Sequence, residues 1–293
     1  MRHALQCLLA LLLTTAPAAC RTIEAVASFT VLADMVRQVG GDRVHVVSLV
    51  SPNGDPHAFE PSPDDARALK AADVVFISGL GLEGWMTRLI TASGYRGKPV
   101  VTTTGLHTRR MEEDGKQVTD PHAWNSVANA PVYLGNIVAG LAAADPDGAG
   151  AFKANAARYG AELQQLDAYA RQQIGTVPPA QRKVLTSHDA FGYFGASYGV
   201  AFISPVGLST EAEASAKDVA ALIRQIKAEN VRAYFFENSN DPRLVRQVAA
   251  ATGARPGGVL YVEALSAPDG PAPTYAAMVR YDVDTLVAGM LKE

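Results

Sequence analysis

Between residues 149 and 174, Phe152, Ala156, Tyr159, Leu163, Leu166, Ala170 and Ile174 recur at intervals of 4, 3, 4, 3, 4 and 4. That is the spacing of one face of an α-helix. At about 1.5 Å per residue such a helix is nearly 40 Å long, enough to lie along two domains. Val177-Pro178-Pro179 ends it, because proline lacks the N–H a helix needs and clashes with the preceding turn. A spine in the middle of a 293-residue chain leaves a domain-sized stretch on either side.

Both stretches alternate between strand and helix patterns. Residues 23–29, 44–50, 74–77 and 99–103 read as strands, with helices over 30–39, 63–71 and 82–92 and a further helix over 126–144. After the spine, strands are expected at 183–186, 200–203, 231–236 and 259–262, with helices over 214–229, 241–251 and 273–291 and an aromatic-rich one through Phe191, Tyr193, Phe194 and Tyr198. Repeated β-α units argue for parallel sheets with right-handed crossovers. The expected organisation is an α/β lobe over residues 21–147, a linker helix over 148–177 and a second α/β lobe over 178–293.

Residues 1–20 read as an export signal: Arg2 and His3 form a short basic start, 5–13 an apolar run, and Ala16-Pro17-Ala18-Ala19 a small-residue cleavage region. The run is too short to span a bilayer, and no later stretch reaches about 20 uninterrupted apolar residues. The expected location is the periplasm. The only cysteines are Cys7 and Cys20, so a thiolate metal site is excluded. Cys20 is a candidate lipid anchor, but Pro17 fits a lipoprotein cleavage site poorly, and simple cleavage is the preferred reading. With 26 basic and 29 acidic residues and no Lys/Arg cluster, the chain offers no footprint for nucleic acid.

The chemistry concentrates in a few short motifs. In Gly54-Asp55-Pro56-His57-Ala58-Phe59-Glu60-Pro61 the two prolines stiffen a loop around one histidine. Ser62, Pro63 and Asp65 then open a helix with the pattern of a capping box. Asp-Pro-His recurs at Asp120-Pro121-His122, followed by Trp124, in a chain with six histidines. Alone, either triplet reads as a turn residue; the repetition points to a metal site. His57, His122, His188 and Glu263 each fall after a predicted strand, and ligands of parallel α/β sheets gather at the carboxyl ends of strands. Three neutral imidazoles and a carboxylate suit Zn²⁺, and the Irving–Williams order places zinc above manganese. A catalytic zinc site, with water completing the shell, is the rival reading.

The motifs Gly54-Asp55-Pro56-His57, Asp120-Pro121-His122-Ala123-Trp124, Ser187-His188-Asp189-Ala190-Phe191-Gly192-Tyr193-Phe194 and Leu260-Tyr261-Val262-Glu263-Ala264-Leu265, with Asp269-Gly270-Pro271 beyond, resemble those of the TroA/ZnuA family. These are substrate-binding proteins of bacterial zinc and manganese ABC transporters. The resemblance implies two four-stranded, mainly parallel lobes joined by a rigid helix, with a metal site in the cleft formed by His57, His122, His188 and Glu263. It implies capture of Zn²⁺, with Mn²⁺ as the alternative, delivery to an inner-membrane permease, a periplasmic zinc chaperone as a further partner, a monomer, and no enzyme activity. Three departures stand out. The fourth ligand is often Asp, where this chain has Glu263; residues 107–119, a polar stretch read here as a solvated loop, hold one histidine, His107; and His188 stands where manganese-type members place a carboxylate. The short loop and Trp124-Asn125-Ser126 look closest to the AztC-type zinc branch. Asp55 and Asp120 are read as residues that orient ligand histidines or cap their own turns. Glu237, beside Asn238, Ser239 and Asn240, is read as an orienting residue, a spare ligand or part of the cleft rim.

Overall fold

The computed structural model describes residues 21–113, 116–205, 207 and 215–292; the expected leader, with Cys7 and Cys20, lies outside them. The first half runs β1 (Ile23–Ala27), α1 (Thr30–Gly40), β2 (Val44–Ser48), α2 (Pro63–Ala71), β3 (Val74–Ile77), α3 (Met86–Ser93) and β4 (Val100–Val101). Its sheet has the order β2-β1-β3-β4 with every pair parallel. A hairpin, β5 (Arg110–Glu113) and β6 (Lys116–Thr119), and α4 (Ala130–Ala144) lead to α5 (Ala149–Gly175). The second half runs β7 (Lys183–Leu185), α6 (Gly192–Tyr198), β8 (Ala201–Ile203), α7 (Ala216–Ala228), β9 (Ala233–Glu237), α8 (Arg243–Thr252), β10 (Arg255–Leu260) and α9 (Tyr275–Leu291). Its sheet, β10-β9-β7-β8, is again all parallel.

The helix starts follow their local chemistry. Ser62 caps α2 by accepting the Asp65 N–H, while Asp65 Oδ2 accepts the Ser62 N–H at 2.7 Å, closing the capping box. Thr274 and Ser215 cap α9 and α7 in the same way from their side chains.

Two segments depart from the sequence reading. The polar stretch 107–119 contains the antiparallel β5–β6 hairpin, paired Arg110 to Thr119 and Met111 to Val118. Only Met111 in it is a buried apolar side chain, so no alternating pattern marks the strands. β10 begins at Arg255, four residues before the expected start, because Arg-Pro-Gly-Gly reads as a breaker. It is tolerated because β10 is the edge strand, where Pro256 costs no ladder bond, and the register shifts between Pro256 and Gly258. A Cβ at Gly257 would sit 2.4 Å from the Phe235 ring, so the close approach of these strands requires glycine there.

α5 buries Phe152, Tyr159, Leu163, Leu166, Ala170 and Ile174. It packs against α1 and α4 of the first half and α6 and α9 of the second. The main core is therefore one continuous cluster, from Ile23 and Phe29 through Trp124 and Phe152 to Tyr275 and Met290. Each large apolar side chain buried in it contributes about 1.5–3 kcal/mol relative to exposure, which opposes wide separation of the halves. Polar bonds cross as well: Tyr275 N–H donates to Asp34 Oδ2 at 2.8 Å, and Leu265 N–H to Thr30 Oγ1 at 2.8 Å. The stretch Val127–Ala144 is long and apolar enough by composition to cross a membrane; here its helix packs on α1, α5 and β3.

Candidate metal centre

The cleft between the sheets brings together the four side chains singled out from the sequence. One ligand atom from each of His57, His122, His188 and Glu263 lies within 4.8 Å of the others. His57 Nε2 is 2.8 Å from Glu263 Oε1 and 3.1 Å from His122 Nε2. Glu263 Oε1 is 3.3 Å from His122 Nε2 and 3.2 Å from His188 Nε2. Tetrahedral zinc with bonds of about 2.0–2.1 Å places its donor atoms about 3.3–3.4 Å apart. These four separations, 2.8–3.3 Å, lie at or a little below that spacing, so the donors are near enough to one another to share a single ion. Side-chain exposure is 7% for His57 and at most 1% for the other three, so the only side open to bulk water is that of His57.

His188 and Glu263 come three residues after β7 and β10, at the carboxyl ends of parallel strands. His57 and His122 do not follow main-sheet strands directly. His57 lies nine residues beyond β2, and His122 follows the hairpin. Each is positioned by its own loop. Asp55 Oδ1 accepts the His57 N–H at 2.7 Å, the turn-capping role. Trp85 Nε1 donates to the Pro56 carbonyl at 2.8 Å, and the Trp85 ring meets Phe59 edge-on at 4.7 Å between centroids.

Asp120 does two things. Its Oδ1 accepts the His122 N–H and lies 3.0 Å from His122 Nδ1. Such a carboxylate on the far ring nitrogen fixes the tautomer and leaves Nε2 free to ligate.

Glu237 is neither at the rim nor a ligand in this arrangement. It lies behind His188, its Oε2 on His188 Nδ1 and its Oε1 accepting the Ser187 N–H at 2.8 Å. Asn240, which the sequence offered only as a neighbour of Glu237, donates from Nδ2 to Glu237 Oε2 at 2.5 Å and lies 2.9 Å from His188 Nδ1. Ser239 Oγ reaches Glu263 Oε2 at 3.4 Å. Trp124 was legible only as part of a motif. Its indole N–H donates to the Val262 carbonyl at 2.7 Å, bracing the residue before Glu263.

The charges are strongly coupled. Burial alone would lower the pKa of His188, but the carboxylates of Glu237 and Glu263 outweigh it and hold the ring well above its ordinary value. For His122, burial is likewise outweighed by Asp120 and Glu263, which raise it. Burial would raise Glu263, yet His188 and His57 hold it well below the usual carboxylate range. In the metal-free protein the Glu263 carboxylate thus favours the protonated forms of the two buried rings beside it, His122 and His188.

The protein family described as zinc-uptake complex component A, periplasmic (ZnuA), matches residues 25–289. The chain belongs to this family. As a ZnuA-family protein it is the metal-binding, substrate-binding component of an ABC transporter and not an enzyme, which removes the hydrolase reading. Among curated relatives, the manganese-binding lipoprotein MntA of Halalkalibacterium halodurans is 32% identical over 268 residues, 92% of this chain and 88% of its own. The iron-binding protein YfeA of Yersinia pestis is 31% identical over 271 residues, 92% and 86% of the two chains. The periplasmic zinc-binding protein TroA of Treponema pallidum superposes with a TM-score of 0.85 at 29% identity, covering 92% of this chain and 100% of that one. Their names span three metals.

Replacing Glu237 by glutamine keeps the shape but removes the charge behind His188. Zinc affinity is expected to fall about 10–100-fold, the usual cost of losing a partner behind a metal-bound histidine. Competition with a chromophoric chelator reads this directly, and an unchanged affinity would reduce Glu237 to a support for the end of β9.

Proposed function

We propose that this ZnuA-family protein captures Zn²⁺ with His57, His122, His188 and Glu263 and delivers it to an inner-membrane ABC permease. The observation that supports this most is the donor set: three imidazole Nε2 atoms and one carboxylate oxygen converging in a nearly water-free cleft. Nitrogen-rich sets favour zinc over manganese at equal geometry. The name of MntA supports a manganese or mixed zinc and manganese reading instead, and that of YfeA an iron one. We read the protein as exported and monomeric, and the lipoprotein names of relatives such as MntA support a Cys20 anchor as the alternative to simple cleavage.

The test is titration of Zn²⁺ and Mn²⁺, singly and in competition, into metal-free mature protein. One tight equivalent of zinc that equimolar manganese does not displace supports the reading. Preference for manganese would overturn it while leaving the transport class intact.

The pH dependence has a defined sign. His122 and His188 have raised pKa values in the metal-free protein, so below those values the ion must displace protons. Zinc affinity is expected to fall as pH drops through the histidine range, and binding to release protons. Stability of the metal-free form runs the other way: the contribution of these two protonated rings is complete below the ordinary histidine pKa and is lost as pH rises through the raised values. Calorimetry in buffers of different ionisation enthalpy checks both, and an affinity that is flat between about pH 6 and 8 would contradict the linkage.

A further inference from the structure

The loop that carries His57 is held from both sides of the cleft. Its first part is a tight turn, in which Gly54 N–H donates to the Ser51 carbonyl at 3.0 Å, Pro52 takes the second position and Asn53 the third with φ 59°. This is the pattern of a type II turn, whose third position needs a positive φ. Glycine adopts that conformation without steric cost, and asparagine tolerates it. What asparagine adds is a side chain.

That side chain reaches across the cleft. Asn53 Oδ1 accepts from Asn238 Nδ2 at 3.0 Å, and the Asn53 N–H donates to the Leu265 carbonyl at 3.1 Å. The same Asn238 amide nitrogen donates to the Ala264 carbonyl at 3.1 Å. Asn238 follows Glu237, which supports His188, and Ala264 follows Glu263. One turn, four residues before His57, is therefore tied to both segments that carry the second lobe's share of the site. On the other side, the Trp85 bond to Pro56 keeps the loop on its own lobe. His57 is the most exposed of the four, with 7% of its side chain open against at most 1% for the others, and this loop closes over that side of the site.

We propose that Asn53 and Asn238 form a clasp between the lobes that positions His57 and sets how long the metal stays bound. The proposal rests on the reading of His57 and Glu263 as ligands. With the clasp shut, His57 Nε2 stands 2.8 Å from Glu263 Oε1; with it open, the turn swings out on its Trp85 anchor and the His57 corner of the site loosens. Asn53 is a positioning residue, since it touches no metal-facing atom.

The test uses zinc-loaded mature protein and measures release into excess chelator by stopped flow, with association measured separately. Asn53→Gly keeps the turn and deletes the clasp. It is expected to release zinc about three- to tenfold faster, the size of effect one partly exposed hydrogen bond supports, with the association rate and the unfolding midpoint of the metal-free form unchanged. On an Asn238→Ala background, Asn53→Gly is expected to add nothing. His57→Ala is the control. If His57→Ala weakens zinc binding sharply while Asn53→Gly releases at the wild-type rate, the clasp is wrong and the ligand set stands. If His57→Ala binds like wild type, the ligand reading fails and takes the clasp with it. A lower midpoint of the metal-free Asn53→Gly form, with no change in release, would make Asn53 a structural turn residue and overturn the proposal.

Discussion

Changing His188 to alanine is expected to weaken zinc binding by more than a hundredfold and also to destabilise the metal-free protein. The first effect follows from losing a donor: even the outer partners of ligating histidines are worth about 10–100-fold, and a direct ligand exceeds them. The second follows from what stays behind. Glu237, its side chain fully buried, stands against His188 Nδ1 and favours the protonated form of that ring. Removing one member of a buried pair costs about 3–5 kcal/mol, because the other charge keeps its hydrogen bonds to Ser187 and Asn240 but loses its counter-charge. Adding Glu237→Gln to His188→Ala removes that charge and is expected to restore most of the stability and none of the affinity. Denaturant unfolding of the metal-free proteins, alongside zinc competition, separates the two effects. A His188→Ala protein with wild-type affinity would remove His188 from the ligand set.

Trp124→Ala is expected to cost about 3–5 kcal/mol of stability, the range for a buried aromatic. The side chain is 1% exposed, packs on Phe29 at 4.8 Å between centroids and meets the His122 ring edge-on at 5.5 Å. Its indole N–H holds the Val262 carbonyl, and its own carbonyl accepts the Tyr275 hydroxyl at 2.6 Å. One residue thus joins the His122 loop, the Glu263 segment and the start of α9. Trp124→Phe keeps most of the ring but leaves the buried Val262 carbonyl unpaired, a cost of about 1–3 kcal/mol. It is expected to fold and to bind zinc more weakly than wild type, because Glu263 loses its brace. Equal affinity in Trp124→Phe and wild type would show that packing alone, without the hydrogen bond, sets the position of Glu263.

These two predictions separate what is local from what is not. Asp120 lies two residues from His122, and the pairing of a carboxylate with a histidine across one proline is visible in the chain as written. Glu237 and His188 are 49 residues apart, and Trp124 and Val262 are 138 apart. Nothing local marks either pair, and Asn240 and Ser239 are ordinary turn residues until the sheet places them beside His188 and Glu263.

The chain's own chemistry determined the spine helix through its 4-3 apolar stripe, the capping box of α2 through Ser62 and Asp65, the β-α alternation of both lobes, and two histidines on proline-stiffened loops. Each is a signal carried within about one element, where spacing and backbone restriction act directly. Tertiary structure alone decided the β5–β6 hairpin, which has almost no apolar alternation, and the early start of β10, allowed by its place at a sheet edge. It also decided the carboxylate behind His188, the indole that braces Glu263 and the Asn53–Asn238 contact. Those depend on which strand ends and loops come to face each other across the cleft, and that is fixed only when both lobes close their shared core around α5.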